Sequence, residues 1–303
     1  MFAPSLFLTV SVEAGSDGSD EIHLHGGGQG FWVAQLMHEL GVDTTVVAPI
    51  GGEAGTVLRA IVKDADLELR AVPMNGTTGA HLNDRRGGEL ADLAVMHGTM
   101  LDRHDVDELY GAMVVQALDA DVCVLAGPGS TPVLGPEVYE RLTTDLRANE
   151  KLVVTDLSGD ALHCALGGGV TVLKTSADDL RDDGMLDADT LDEALWAAHR
   201  LATTGAEVAV VTRAEEGAIA VRGDEAWIVR APPLEPVEHR GSGDSLTAGI
   251  AASLATGRPL EEALRVGAAA GALNVTRRGF GSGSRQEIER LTEQVAIEPV
   301  AVG

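Results

Sequence analysis

Short runs of β-branched and aliphatic residues alternate with longer stretches in which apolar positions recur at helical spacing. The strand-like runs cover residues 6–12, 44–48, 121–126, 152–156, 170–174, 207–212 and 217–221. Helical patterns cover 30–40, 105–118, 136–148, 191–203, 245–255 and 260–275. This alternation predicts βαβ units around a mostly parallel sheet, an α/β fold. The last two helices are rich in alanine and other small residues, which suits close packing. Residues 67–96 break the rhythm. Three strand-like pieces, 67–72, 79–82 and 91–96, are separated by turn chemistry at Met74-Asn75-Gly76 and Arg86-Gly87-Gly88. With no helix between them, antiparallel pairing is the natural expectation. A small sheet projecting from an α/β body is either a lid over an active site or a plain edge meander.

At 303 residues with 45% apolar content, the chain can bury a large core, and disorder is not expected. Aromatic residues are only 3%, so Ala, Val and Leu must build that core. The balance of 22 basic against 47 acidic residues gives a net charge of −25. Such a surface repels phosphate backbones and anionic headgroups, which excludes nucleic acid and membrane surfaces as partners. Lysine occurs only as Lys63, Lys151 and Lys174; the acidity fits a salty habitat or a solubility trait equally. Cys123 and Cys164 form no paired motif, as befits a reducing cytoplasm. No apolar run approaches a membrane span, and residues 1–12 lack a basic region and read as a first strand, not a signal peptide.

The strongest chemical signal is Arg240-Gly241-Ser242-Gly243-Asp244-Ser245, running directly into an Ala-rich helix. Glycines opening a helix let a ligand approach the first backbone N–H groups, where the helix dipole adds positive charge. In so acidic a protein, phosphate charge finds its reception there. Asp244 at that turn either accepts a proton from an attacking hydroxyl or serves as a helix N-cap.

These residues resemble the second signature of the PfkB (ribokinase-like) family of carbohydrate kinases, a Gly-Ala-Gly-Asp-like turn entering a helix of small residues such as Ala248-Gly249-Ile250-Ala251. The resemblance covers nearly the whole chain and runs closest to the phosphofructokinase and tagatose-phosphate kinase branch. It implies a ribokinase-like three-layer sandwich with a mostly parallel central sheet and a small β-sheet lid. Residues 1–303 would form one kinase domain, with about 10–25 and 67–98 as the inserted lid. Asp244 would then be the base and Gly241, Ser242 and Gly243 the anion hole.

Other segments fall in the order the family requires. Gly26-Gly27-Gly28-Gln29-Gly30 resembles a Gly-Gly-Lys-Gly sugar-binding turn, implying substrate contacts from Gly27, Gly28, Gln29 and Gly30. Asp156-Leu157-Ser158-Gly159 resembles an Asp-x-Ser-Gly stretch. Lys174-Thr175-Ser176-Ala177-Asp178-Asp179 stands at Lys-Pro-Asn-x-x-Glu, which implies phosphate contacts from Lys174 and Ser176 and a water-mediated Mg²⁺ contact from Asp179, with Asp178 the alternative. Thr212-Arg213-Ala214-Glu215-Glu216-Gly217 resembles a nucleotide-contacting Ser/Thr-x-Gly-x-x-Gly turn, implying roles for Thr212, Ala214 and Gly217. The stretch 271–279, with Asn274, resembles the wall beside the adenine. The implied cofactors are ATP and Mg²⁺, and the implied assembly is a homodimer through the lid. Three of these segments, and Ala126-Gly127-Pro128-Gly129-Ser130, follow predicted strand ends, where open α/β sheets bind ligands.

Departures gather on the acceptor side. Gln29 replaces the expected Lys, and Thr77-Thr78-Gly79-Ala80-His81 lacks the lid arginine that grips a distal phosphate, unless Arg85 or Arg86 replaces it. The Asn-Pro-x-x-Asp motif after the first strand is missing, leaving Glu13 or Asp17 to take its sugar-hydroxyl contact. Ala214 holds a glycine position, which matters only if φ is positive there. Arg240 and His239 flank the phosphate turn as candidate substrate contacts or as a loop's polar edge. His23 and His25 alternate on a strand-like piece, as cleft lining or as surface. Two functions fit: an ATP-dependent kinase for a sugar or sugar phosphate, or a catalytically weakened member acting as a sugar- or nucleotide-binding regulator. A dinucleotide-dependent oxidoreductase does not fit, because no G-x-G-x-x-G follows the first strand.

Overall fold

The computed structural model describes residues 1–301 except 89, 130, 189, 239, 278–280 and 282. The strands are β1 (Phe7–Ala14), β2 (Asp20–Gly27), β3 (Thr45–Ile50), β4 (Glu68–Pro73), β5 (Gly79–Asp84), β6 (Ala91–Met96) and β7 (Val122–Ala126). They continue with β8 (Leu152–Asp156), β9 (Val170–Ser176), β10 (Ala206–Thr212), β11 (Ala218–Arg222), β12 (Glu225–Arg230) and β13 (Ala296–Val300). The helices are α1 (Gln29–Glu39), α2 (Gly52–Asp64), α3 (Arg103–Leu118), α4 (Glu137–Ala148) and α5 (Gly159–Gly168). After them come α6 (Ala177–Asp182), α7 (Leu191–Thr204), α8 (Ser242–Ala255), α9 (Leu260–Val275) and α10 (Arg285–Thr292).

Strands β7, β8, β9 and β10 run parallel, and β11, β12 and β13 continue antiparallel at one edge. At the other edge lies the parallel pair β3–β4. Residues 1–3 stitch the two parts together: Phe2 bridges Val47 and Leu125, and its N–H donates to the Val124 carbonyl at 2.8 Å. The strand run read from the sequence as the first, 6–12, therefore lies outside the main sheet. It becomes β1 of a separate four-stranded sheet ordered β2-β1-β5-β6. The piece 67–72 was expected to pair antiparallel inside the small sheet, but as β4 it lies parallel to β3 in the main one. Its half-buried alternation suits either sheet, and pairing partners are set by the helix α2 that precedes it. Within the small sheet, β1 and β5 pair in parallel, while β1–β2 and β5–β6 are antiparallel.

Helices cover both faces of the main sheet. On one side α3, α4, α5 and α7 bury Leu109, Met113, Tyr139, Leu142, Leu162 and Leu201 against Leu125, Val153 and Leu173. On the other, α1, α8, α9 and α10 pack Val33, Leu36, Ile250, Leu264 and Ile288 against Val124, Val154, Val172 and Val210. A third cluster joins α1 and α2 to β3. Removing this apolar area from water drives the layering, at roughly 25 cal/mol per Å². No helix among the described residues is long and apolar enough to cross a membrane.

Candidate active site

A cavity of about 620 Å³ opens at the carboxyl ends of β7, β8 and β9, where parallel α/β sheets place their ligands. Its floor holds Asp156, Lys174 and Asp244, and its rim includes Gln29, Ser158 and Asp179. Asp156 closes β8, Lys174 lies near the end of β9, and Asp244 sits in the first turn of α8. Asp156 and Lys174 therefore meet because adjacent parallel strands end at one level, and the first turn of α8 brings Asp244 to them.

Lys174 is 6% exposed, and its ammonium lies 3.0 and 3.1 Å from the two carboxylate oxygens of Asp156. Thr247, one turn into α8, donates to Asp156 Oδ2 at 2.9 Å and so ties α8 to the same carboxylate. Burial alone would lower the lysine's pKa, but Asp156, Asp244 and Asp179 outweigh it and hold that pKa above the ordinary value. For Asp244, burial and then the Asp156 charge push the carboxyl up to about 7, against the opposing pull of Lys174 and Gln29. An acid poised near neutrality beside a fixed cation can take up and release a proton at working pH.

The N-cap of α8 is Gly241, in the left-handed conformation at φ 81°. Asp244 lies three residues further in and makes no cap, so its capping reading is withdrawn. The first N–H groups of the helix, beginning with Ser242 and Gly243, have no partners within it and face a prospective anion. Gly243 has a second constraint: a Cβ there would lie 2.5 Å from Lys174 Nζ.

Gln29 opens α1, and its Oε1 accepts the Gly127 N–H at 2.6 Å while its side chain hydrogen-bonds Asp244. Gly28 and Gly30 line the cavity with it, whereas Gly27 lies under the ring of Phe7. Ser176 caps α6 in a reciprocal capping box with Asp179, which still faces the cavity; Asp178 is exposed and paired with Arg181 at 2.7 Å. Asp179 is therefore the better placed of the two acids. Asp179 presents a carboxylate to the cavity, the kind of oxygen ligand that fits Mg²⁺, a hard ion that keeps waters and draws other ligands from phosphates.

Other expected contacts lie elsewhere. Glu13 pairs across from Glu21 at the outer end of β1, and exposed Asp17 closes a local turn with Ser19, so neither lines the cavity. The reason is the shifted first strand. With residues 1–3 in the main sheet, the turn leaving it is Ala3-Pro4-Ser5-Leu6-Phe7, and Phe7 stands where the family motif has its Asp. Arg240 is bound to Glu238 at 3.1 Å, and Arg86 is held by Asp84 and Asp20. His23 and His25 stack with ring centroids 6.1 Å apart on β2. His239, Ser130 and residues 278 and 279 lie outside the described residues.

Thr212, Ala214 and Gly217 form the turn after β10, where Ala214 adopts φ 43°. The positive φ expected of a glycine position is thus present, carried by alanine. Asn274 is fully buried in α9 and donates to the Arg240 carbonyl at 2.9 Å, holding the approach to the anion turn. Asp156 was legible only as part of a turn motif; its place under Asp244 emerges from strand register.

The profile of the pfkB family carbohydrate kinases matches residues 10–287. Over 284 residues the chain is 31% identical to the ATP-dependent 6-phosphofructokinase isozyme 2 of Mycobacterium tuberculosis (strain ATCC 25618 / H37Rv), covering 91% of this chain and 81% of that protein. It is 27% identical over 301 residues to the 1-phosphofructokinase of Vibrio cholerae, covering 97% and 94%. Phosphofructokinase-2 from Escherichia coli in complex with potassium superposes with a TM-score of 0.85 at 22% identity, covering 96% and 97%. Arabidopsis thaliana ribokinase complexed with ribose and ATP does so at 0.74 and 18%, covering 96% and 97%. The fold is ribokinase-like, and the protein is a carbohydrate kinase. More narrowly, the chain belongs to the pfkB family.

Proposed function

We propose that this kinase transfers the γ-phosphoryl group of ATP to a hydroxyl of a sugar-class acceptor, with Asp244 as the base. The observation that carries the reading is Asp244 itself, poised near neutrality at the mouth of α8 beside the buried Lys174–Asp156 pair. Asp244 takes the hydroxyl proton as the acceptor oxygen bonds to the γ-phosphorus and the bridging bond to ADP breaks. The N–H groups of Ser242 and Gly243 and the α8 dipole receive the charge on the transferring group. Asp179 would hold Mg²⁺, which would supply neutralisation of the phosphate oxygens. Lys174 keeps Asp156 compensated and lowers the cost of ionising Asp244. On the nucleotide side, Ser176, Thr212, Ala214 and Gly217 shape the wall that receives ATP, and the buried Asn274 holds the Arg240 carbonyl from behind.

The two sequence relatives named above are phosphofructokinases, which supports a sugar phosphate as acceptor. Local residues support an uncharged one. Lys174 is the one basic residue among the described residues lining the cavity, and Asp156 already neutralises it. We take the uncharged acceptor as the better reading, with Gly28, Gln29 and Gly30 at its contact surface.

The small sheet supports a lid role and a homodimer. Val10, Val12, Ile22, Leu24 and Leu82 share its outer face by register, with Ile22 65% and Leu24 49% exposed. Covering that face with a second copy would remove it from water.

The test is ATP turnover against a panel of hexoses, pentoses and their phosphates, compared with Asp244→Ala. The expected result is turnover in the wild type and its loss in the variant, with ATP binding retained. Equal turnover by both would remove Asp244 as the base.

A further inference from the structure

The residue delivered into the acceptor side of the cavity by the first turn of the main sheet is aromatic, and the surrounding structure is shaped to hold it. Strand register sets Phe7 between Gly27 on β2 and Gly79 on β5. A Cβ on Gly27 would lie 2.2 Å from the Phe7 ring, so the ring lies flat over that glycine. Its neighbour His81 stacks against it with centroids 4.0 Å apart at 17°. Trp32 meets it edge-on at 6.2 Å and 88°, and also lines the cavity. Aromatic residues are only 3% of the chain, yet two of them meet here beside Gln29 and Asp244.

A fixed aromatic wall selects by chemistry. A hydroxyl pressed against it gives up water and gains no hydrogen-bond partner. A CH face or methylene group instead gains dispersion contact along the ring edge that reaches the cavity, the two faces being covered by Gly27 and His81. We propose that Phe7, backed by His81 and edged by Trp32, is a specificity-determining residue that receives an apolar face of the acceptor. The acceptor class is a sugar-like alcohol lacking a hydroxyl, or carrying it alkylated, on the carbon that faces Phe7, while its reacting hydroxyl meets Asp244. This rests on the kinase reading above and narrows its substrate.

The experiment compares matched pairs, each parent sugar with its singly deoxygenated and O-methyl counterparts, in the wild type, Phe7→Leu and Phe7→Asp. The wild type is expected to favour one modified acceptor over its parent by about 10- to 100-fold in kcat/KM, the discrimination an apolar wall can exert against an added hydroxyl. Phe7→Leu keeps that order, Phe7→Asp reverses it, and the KM for ATP stays the same in all three. Calorimetric binding of the same pairs with a non-hydrolysable ATP analogue reads the preference without turnover. Wild type and Phe7→Asp ranking the pairs alike, or wild type binding no modified acceptor better than its parent, overturns the assignment of Phe7. Loss of turnover with the binding preference intact counts against the kinase reading and leaves Phe7 supported.

Discussion

The ammonium of Lys174 lies 3.0 Å from Oδ1 of Asp156, and both side chains are buried beneath the turn that presents Asp244. Two carboxylates share one cation there, so the lysine does more than balance its nearest partner. Lys174→Met leaves Asp156 buried without compensation, and the expected loss is about 3 to 5 kcal/mol in urea denaturation. Lys174 also pulls the Asp244 pKa down. Its removal therefore moves the acidic limb of the kcat/KM profile to higher pH, provided the variant is assayed below its unfolding midpoint.

Asp244 links stability and activity with opposite signs. Its pKa rises from 3.8 in the unfolded chain to about 7 in the fold. A carboxyl with a raised folded pKa binds its proton more tightly in the native state, so stability falls as pH climbs from about 4 through 7. Catalysis needs the ionised form, so kcat/KM rises over the upper part of that window. Asp244→Asn is expected to abolish turnover yet raise Tm by a few degrees at pH 8, with no gain at pH 4. Calorimetric scans at the two pH values check this, and an equal effect at both would remove the linkage.

Helices α1, α3, α4, α7, α8 and α9, most of the strands and the anion turn were legible because each has a local signature: alternation, helical spacing, or paired glycines before a small-residue helix; α5, α6, α10, β12 and β13 were not read. Residues 1–3 had none, since Met1-Phe2-Ala3 is too short to alternate and becomes a strand only by insertion between β3 and β7. That one shift hid Phe7, which the sequence presents as part of a β-branched run. Helix α2 was missed because Gly52 and Gly55 depress helical propensity. Its apolar stripe, Leu58 and Val62, is nevertheless fully buried, and tertiary packing outweighs the glycines. The Asp156–Lys174 contact was out of reach for a different reason: register between β8 and β9 has no local code.

Ala214 holds the turn after β10 at φ 43°, a conformation that costs a non-glycine residue about 1 to 2 kcal/mol. Glycine removes that strain but adds freedom to the unfolded chain, worth about 0.4 to 1 kcal/mol. Ala214→Gly is therefore expected to stabilise by roughly 0.5 to 1 kcal/mol in urea denaturation. Destabilisation would mean that the left-handed turn is not held in solution.

Gly243 tests whether the anion turn and the charge cluster act as one unit. A methyl group there would sit 2.5 Å from Lys174 Nζ, so one of the two must move. The lysine is a flexible side chain, but its ammonium is bound to both oxygens of Asp156, which in turn accepts from Thr247. Yielding therefore means either loosening that pair or lifting the first turn of α8, and both displace Asp244. A displacement on the order of 1 Å at a reacting group costs about 100-fold in rate. Overpacking a filled site costs about 1 to 3 kcal/mol of stability. Gly243→Ala is expected to show both effects together, with Ser242→Ala, which removes only a hydroxyl, losing far less. Steady-state kinetics and urea denaturation on the two variants decide it. A Gly243→Ala enzyme with wild-type kcat/KM would show that the turn and the buried pair are mechanically independent.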